Sequence, residues 1–289
     1  MNAGVTDSDA ATGKWVLGLV AVIAIAAGIY LWTQEETESG SAAPVTDEPA
    51  QPAQAEAADA VEHPVETPEA EPLPPLAESD AAVATSLADL FPGDQFSRLF
   101  VDEDLVRRIT VTVDNLTREK VAMRLRPVEP MPDAFIAVGP EEGPMLDESN
   151  YARYRPYVDV VEAIDAAQAA AVYRRLYPLF QEAYEELGNP SAYFNDRVID
   201  VIDHLLATPD PGNAIEVVLP PQDPSIEVAR PWVLYQYADP ALQSLSAGQK
   251  ILVRMGSDNA SRMKGLLREL RKRLATEPRP GASPATARP

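Results

Sequence analysis

Cysteine is absent from the 289 residues, and histidine occurs twice, as His63 and His204. The first absence excludes a disulfide scaffold, a Cys nucleophile and cysteine-based zinc or iron–sulfur sites. The second puts most imidazole-rich metal sites out of reach. Positive charge is scarce: 24 Lys and Arg stand against 45 Asp and Glu, a formal net charge of −21. Such a chain would repel a polyanion, so nucleic acid is not an expected partner. There is no Gly-x-Ser-x-Gly elbow, Gly-rich phosphate loop or dinucleotide fingerprint, and no cofactor is implied.

Charge of either sign is missing from residues 15–34, WVLGLVAVIAIAAGIYLWTQ. Twenty residues at helical rise span about 30 Å, the thickness of a bilayer core. Trp15 at one end and Tyr30 and Trp32 at the other suit the two headgroup levels. The run is apolar all round, as a membrane helix is and an amphipathic core helix is not. Lys14 precedes it, and Glu35, Glu36 and Glu38 follow, so residues 1–14 are expected in the cytoplasm and the rest beyond the membrane. A cleaved signal peptide is the competing reading. Its cleavage site would have to be Ala24-Ile25-Ala26, because the run continues through bulky Ile29–Trp32.

Residues 34–80 have no aromatic, no Lys and no Arg, but hold 10 Ala, 8 Pro and 13 acids. This composition cannot bury enough apolar area to offset backbone entropy, so a disordered acidic linker is expected over 35–75. Fully extended, the 47 residues 34–80 would reach on the order of 145 Å, and as a coil about 40 Å. His63 reads as a solvated side chain within it.

Beyond residue 80 the balance is 30 acids to 23 bases, and apolar periodicity sets in. Helices are expected over Asp80–Leu90 with Ser79 as cap, Asp104–Leu116, Asn150–Ala163, Asp165 to Gly188, Tyr193–Leu206, Leu245–Met255 and Asp258–Leu274. The second has enough Val and Thr to leave a strand open. Asp165 with Gln168 reads as a capping box, and Pro178 should kink or split that helix. Ala134–Val138 and Met145-Leu146, around a 139–143 turn, suggest a hairpin, and Ile215–Leu219 a strand. The fold class is therefore mainly α, α+β at most. A single transmembrane helix and a linker precede a compact helical domain over 76–275 with a few short strands, and 276–289 form a disordered tail.

Five segments carry a family resemblance: LPPLAESD (73–80), YARYRPYV (151–158), YRRLYPLFQEAYEELG (173–188), YFNDRVIDVIDHLLATP (193–209) and SAGQKILVRMG (246–256). In this order they resemble the membrane-anchored proteobacterial family known as domain of unknown function 3014. The resemblance covers the anchor, the linker and nearly all of the domain. It implies a single-pass envelope protein of a Gram-negative bacterium, and it brings no catalytic residue with it.

Several residues invite chemistry, each beside a plainer reading. His204 next to Asp203 suits a tuned base or a structural imidazole. Asp196, Asp200 and Asp203 share a helical face that would suit a divalent cation or an ordinary solvated stripe paired with Arg197. Glu182, Glu185 and Glu186 fit acid–base work or an outer helix face. Tyr151, Tyr154 and Tyr157, then Tyr173, Tyr177, Phe180 and Tyr184, form either a core stripe or a stacking surface for a sugar or partner helix. Arg153, Arg155, Arg174 and Arg175 flank them, and Tyr with Arg is a hot-spot composition. Arg108, Lys120, Arg124 and Arg126 form a basic patch for an acidic partner or for the domain's own acids. Arg262, Lys264, Arg268, Arg271, Lys272 and Arg273 give the last helix a basic face, solvated or turned to anionic envelope polymers.

The partner-binding candidates are Tyr151, Arg153, Tyr154, Arg155, Tyr173, Arg174, Tyr177, Arg124 and Arg126; no catalytic, cofactor-binding or metal residue is assigned. The expected function is a binding or scaffold module on the periplasmic side of the inner membrane. Residues 15–34 would meet lipid, and the domain an envelope protein or cell-wall polymer. The alternative is an envelope hydrolase acting on cell-wall glycan or peptide.

Overall fold

The computed structural model describes residues 61–68, 72–129, 134–140, 142–221 and 234–275. The expected membrane segment 15–34, the linker up to residue 60 and the tail 276–289 lie outside the described residues. Among the described residues, no helix is long and apolar enough to cross a membrane.

The domain is mainly helical. A 3-10 turn (Leu76–Glu78) leads into α1 (Asp80–Ala88), α2 (Gln95–Leu99) and α3 (Leu105–Asn115). Then come a second 3-10 turn (Met123–Leu125), α4 (Ser149–Glu162), α5 (Ala166–Glu186) and α6 (Phe194–Leu206). The chain finishes with α7 (Pro240–Gln243), α8 (Ala247–Arg254) and α9 (Ser257–Leu274). The longest, α5, packs against α1, α3, α6 and α9. Its Leu176, Phe180 and Ala183 meet Ile109 and Val113 of α3, Phe194, Val198 and Ile202 of α6, and Leu267 and Leu270 of α9 in one core.

Local chemistry sets the ends of these helices. The Asp165 carboxylate accepts the amides of Ala167 and Gln168, so α5 begins where expected. It stops before Gly188, whose φ of +98° suits the left-handed turn that ends a helix. Pro178 does not split it: the helix runs unbroken through an exposed proline, where water can satisfy the carbonyl that lost its donor. Pro156 is carried within α4 in the same way. Ser79 does not cap α1. Its hydroxyl donates to the Leu76 carbonyl and closes the 3-10 turn. Asp80 instead reaches across to the amides of Asp104 and Leu105 and caps α3 from outside.

The expected hairpin forms as β1 (Ala137–Val138) against β2 (Met145–Leu146), antiparallel, with Ala137 opposite Leu146. Of the 215–219 run, only β3 (Val217–Val218) is a ladder, paired with β4 (Gln236–Tyr237), an unforeseen strand. A bridge between Met145 and Glu216 links the two ladders. Beneath them Phe135, Leu146, Ile215, Val217, Tyr237, Leu242 and Val253 form a second, smaller core.

The N-terminal boundary differs from expectation. Residues 61–68 belong to the expected linker, yet they lie as a strap, bent at Glu62 and His63, against the start of α6. The amides of Glu62 and His63 donate to the Asp196 carboxylate at 3.0 and 2.7 Å. Val65 N–H donates to the Tyr193 hydroxyl at 2.8 Å, and the His63 carbonyl accepts from Asn195 at 2.8 Å. His63 is half-buried rather than solvated, and Val65 and Leu73 pack against the main core. Composition alone misses this because the acceptors come from α6, more than a hundred residues away.

Candidate functional site

The N-termini of α4 and α9 and the loop at Asn213 enclose an open groove of about 570 Å³. Its floor is Tyr151. Gly256 lies so close that a Cβ there would sit 2.7 Å from the Tyr151 ring, and its φ of +80° already disfavours any side chain. The Tyr151 hydroxyl donates to the Asn213 carbonyl at 3.1 Å, and the Asn259 amide donates to the carbonyls of Tyr151 and Met255. Burial pushes the Tyr151 hydroxyl pKa up from 10.0, so it stays protonated near neutral pH. Glu148, exposed Arg155, Ser257, Asp258 and Ser261 complete the walls.

Two sequence candidates, Tyr151 and Arg155, thus share a solvent-facing groove. The other tyrosines do not form a stacking surface. Tyr154, Tyr173 and Tyr177 are 4%, 5% and 5% exposed and belong to the core. Tyr173 meets Phe180 with ring centroids 5.9 Å apart and Tyr177 at 5.8 Å. Two of these hydroxyls are satisfied internally: Tyr173 donates to Asn195 Oδ1, and Tyr177 to Gln181 Oε1, which also accepts the Phe194 amide. Burial pushes all three hydroxyl pKa values up, which keeps them protonated.

The candidate arginines divide in the same way. Arg153 donates to the Ala134 carbonyl, and Arg174 to the Arg273 carbonyl at the C-terminal end of α9. Arg108 donates to the carbonyls of Glu103, Arg124 and Arg126, so that basic patch is partly folded back on its own main chain. The Arg124 side chain is exposed. On α9, Arg262 holds Asp159 and Glu162 of α4, and Arg271 holds Asp203 of α6. These are ties between helices.

The acidic candidates are dispersed. Asp196 takes the strap, Asp203 faces Arg271, and Asp200 points to solvent. Among the described residues, no three His, Cys, Asp or Glu gather to hold a metal. Glu186 pairs with Arg107 at 2.8 Å, a hydrogen bond that lowers its carboxyl pKa, and Glu185 accepts from Gln181.

His204 makes the contact that looks most like catalysis. Its Nε2 is 2.8 Å from Ser246 Oγ. Ser246 Oγ also accepts the Gln249 amide, while the Gln249 side chain accepts the Ser246 amide, a capping box that starts α8. The hydroxyl proton then points at a neutral imidazole, a tautomer assigned from this network. Burial, reinforced by the Arg197 charge, lowers the His204 pKa from 6.5 and favours that neutral form. Asp203 is turned to Arg271, so the pair lacks the orienting acid of a triad.

Sequence reasoning missed the residues that fit α8 to α3. The amides of Ala247 and Gly248 donate to the carbonyls of Arg118 and Leu116 at 2.8 and 2.9 Å. A Cβ on Gly248 would lie 2.6 Å from Leu205 Cδ2 and 3.0 Å from the Leu116 oxygen. Nearby, Asp114 receives Arg197 at 2.9 Å and Arg118 at 2.6 Å. The available signal was a glycine inside a helical pattern, a residue that costs helix stability relative to alanine and so points to a packing reason.

Helices tied by ion pairs and main-chain hydrogen bonds, with two short ladders beside them, define the class: a mainly helical domain with a few short strands. The family described as "Protein of unknown function (DUF3014)" matches residues 105–271, from the start of α3 nearly to the end of α9, and the chain belongs to that family. No curated protein and no solved structure matches it.

Proposed function

We propose that this protein is a non-enzymatic binding or scaffold module of a bacterial envelope. In this reading residues 15–34 hold it in the inner membrane, and its helical domain faces the periplasm. The domain meets an envelope protein or cell-wall polymer through the groove of Tyr151 and Arg155. The observation that carries the reading is that groove: a rigid aromatic floor fixed by Gly256 and Asn213 beside an exposed guanidinium. Preorganised aromatic and Arg groups are the usual anchors of a contact. The hydrolase alternative needs two converging carboxylates in a cleft, or His204 with a nucleophile and an acid. Ser246 beside His204 is 7% exposed and its oxygen caps α8, and Asp203 is turned to Arg271, which counts against the second arrangement.

The test uses the full-length protein in its membrane, with a photo-crosslinking residue at Ala152, which lines the groove. A discrete adduct that disappears in Arg155→Glu is the expected result. No adduct at Ala152, or one indifferent to Arg155→Glu, would overturn the groove as contact face. A periplasm-only reporter fused after residue 80 should be active and a cytoplasm-only reporter silent; the reverse pattern would refute the topology.

A further inference from the structure

We infer that Tyr193, Asn195 and Asp196 form a binding site for a short peptide segment, filled in this chain by its own residues 62–65 and open to the same segment of a second copy when the strap lifts. The inference is independent of the membrane anchor and of the Tyr151 groove.

Four bonds at this site go to main-chain atoms of the occupant. Asp196 accepts the amides of Glu62 and His63, Asn195 donates to the His63 carbonyl, and Tyr193 accepts the Val65 amide. The strap bends at Glu62 and His63, which lets one carboxylate take two successive amides. Main-chain hydrogen bonds give a captured peptide its affinity, and a side-chain pocket adds selectivity. The half-buried Val65, packed against the core, supplies the selective element.

The receptor side is rigid. Asn195 is 0% exposed, its oxygen held by the Tyr173 hydroxyl at 3.1 Å and its amide shared with the Leu274 carbonyl at 3.1 Å. The Tyr193 ring rests on Tyr177, centroids 5.4 Å apart. The aromatic cluster expected to bind a partner therefore stands directly behind a site whose present partner is the chain itself. The occupant, in contrast, is superficial. Val61, Glu62, Pro64, Glu66, Thr67 and Pro68 are exposed, and only His63 and Val65 are half-buried. Segments with few buried contacts open locally, without the rest of the fold. The receptor also lies within the family-matched 105–271, and the strap lies outside it.

A short tether holds the strap at roughly millimolar effective concentration, so a free peptide competes poorly until the strap is removed. The test therefore uses the full chain with residues 61–68 replaced by Gly and Ser, and a fluorescent peptide of residues 58–68. The peptide should bind it one to one, at least about tenfold tighter than it binds the unaltered chain. Asp196→Ala in the replaced chain should abolish binding, and a scrambled peptide should not bind. Binding to neither chain, or equal binding of the scrambled peptide, would overturn the inference. Amide exchange on the unaltered chain decides the matter even if the replaced chain fails to fold. The amides of Glu62, His63 and Val65 should open well before those of α5, and Asp196→Ala should speed the first two by about tenfold or more. Exchange of the strap amides only with global unfolding would mean that the strap is a fixed part of the fold.

Discussion

Two places in this molecule lay main chain against the end of a helix, and they do so differently. At the first, the N-terminal amides of α8 meet the carbonyls that follow α3. The unsatisfied groups of two helix ends satisfy one another, and the positive end of one dipole faces the negative end of the other. Every residue of α8 is buried, and Gly248 makes the approach close enough. At the second, the strap is held on the start of α6 by side chains, with most of its own residues in water. The hydrogen bonds are of similar length. Burial makes the difference, because desolvated donors have no alternative partner while strap amides can return to solvent.

The contrast predicts a graded series of effects. Gly248→Val should be the most damaging, since its branched side chain would press on Leu205 and the Leu116 oxygen; a loss of about 3 kcal/mol is expected in denaturant unfolding. A loss below 1 kcal/mol would show the α8 contact to be no tighter than the strap. Ser246→Ala removes the α8 cap and should cost about 1 kcal/mol in the same assay. Acidification should act at the same end of α8. His204 is held neutral in the fold, with its pKa below the ordinary 6.5. The unfolded chain therefore takes up this proton first as pH falls through about 6.5. The contribution is complete above that value and is lost on the way down to the folded pKa. Thermal unfolding midpoints should decline over this interval in the unaltered protein and stay flatter in His204→Gln. Asp196→Ala should have the smallest effect on global stability, within about 0.5 kcal/mol, because only a superficial strap is released. A drop matching that of Gly248→Val would erase the distinction between the two contacts.

Much of the helical framework was readable from pattern. Apolar spacing and the Asp165 and Gly188 signals located α5, and the turn at 139–143 located the hairpin. Elements of four or five residues, α2 and α7, show too little period to be seen, and β4 has only two paired residues. The candidate site was half visible. Tyr151 and Arg155 do reach an open groove, whereas Tyr154, Tyr173 and Tyr177 are in the core. Their spacing marks a helical stripe, but a ring with a polar tip suits both a core and a surface. What settles the matter is their burial, with Asn195 and Gln181 placed to accept the hydroxyls of Tyr173 and Tyr177.

The sequence by itself determined the absent chemistries, the acidic balance, and where most helices begin and end, because composition, periodicity and caps act within one or two turns of chain. Only the tertiary structure decided what each polar side chain holds. Asp196 meets Glu62 across 134 positions, and His204 meets Ser246 across 42. Such partners are chosen by which helix ends the packed core brings together, and no local pattern contains that information.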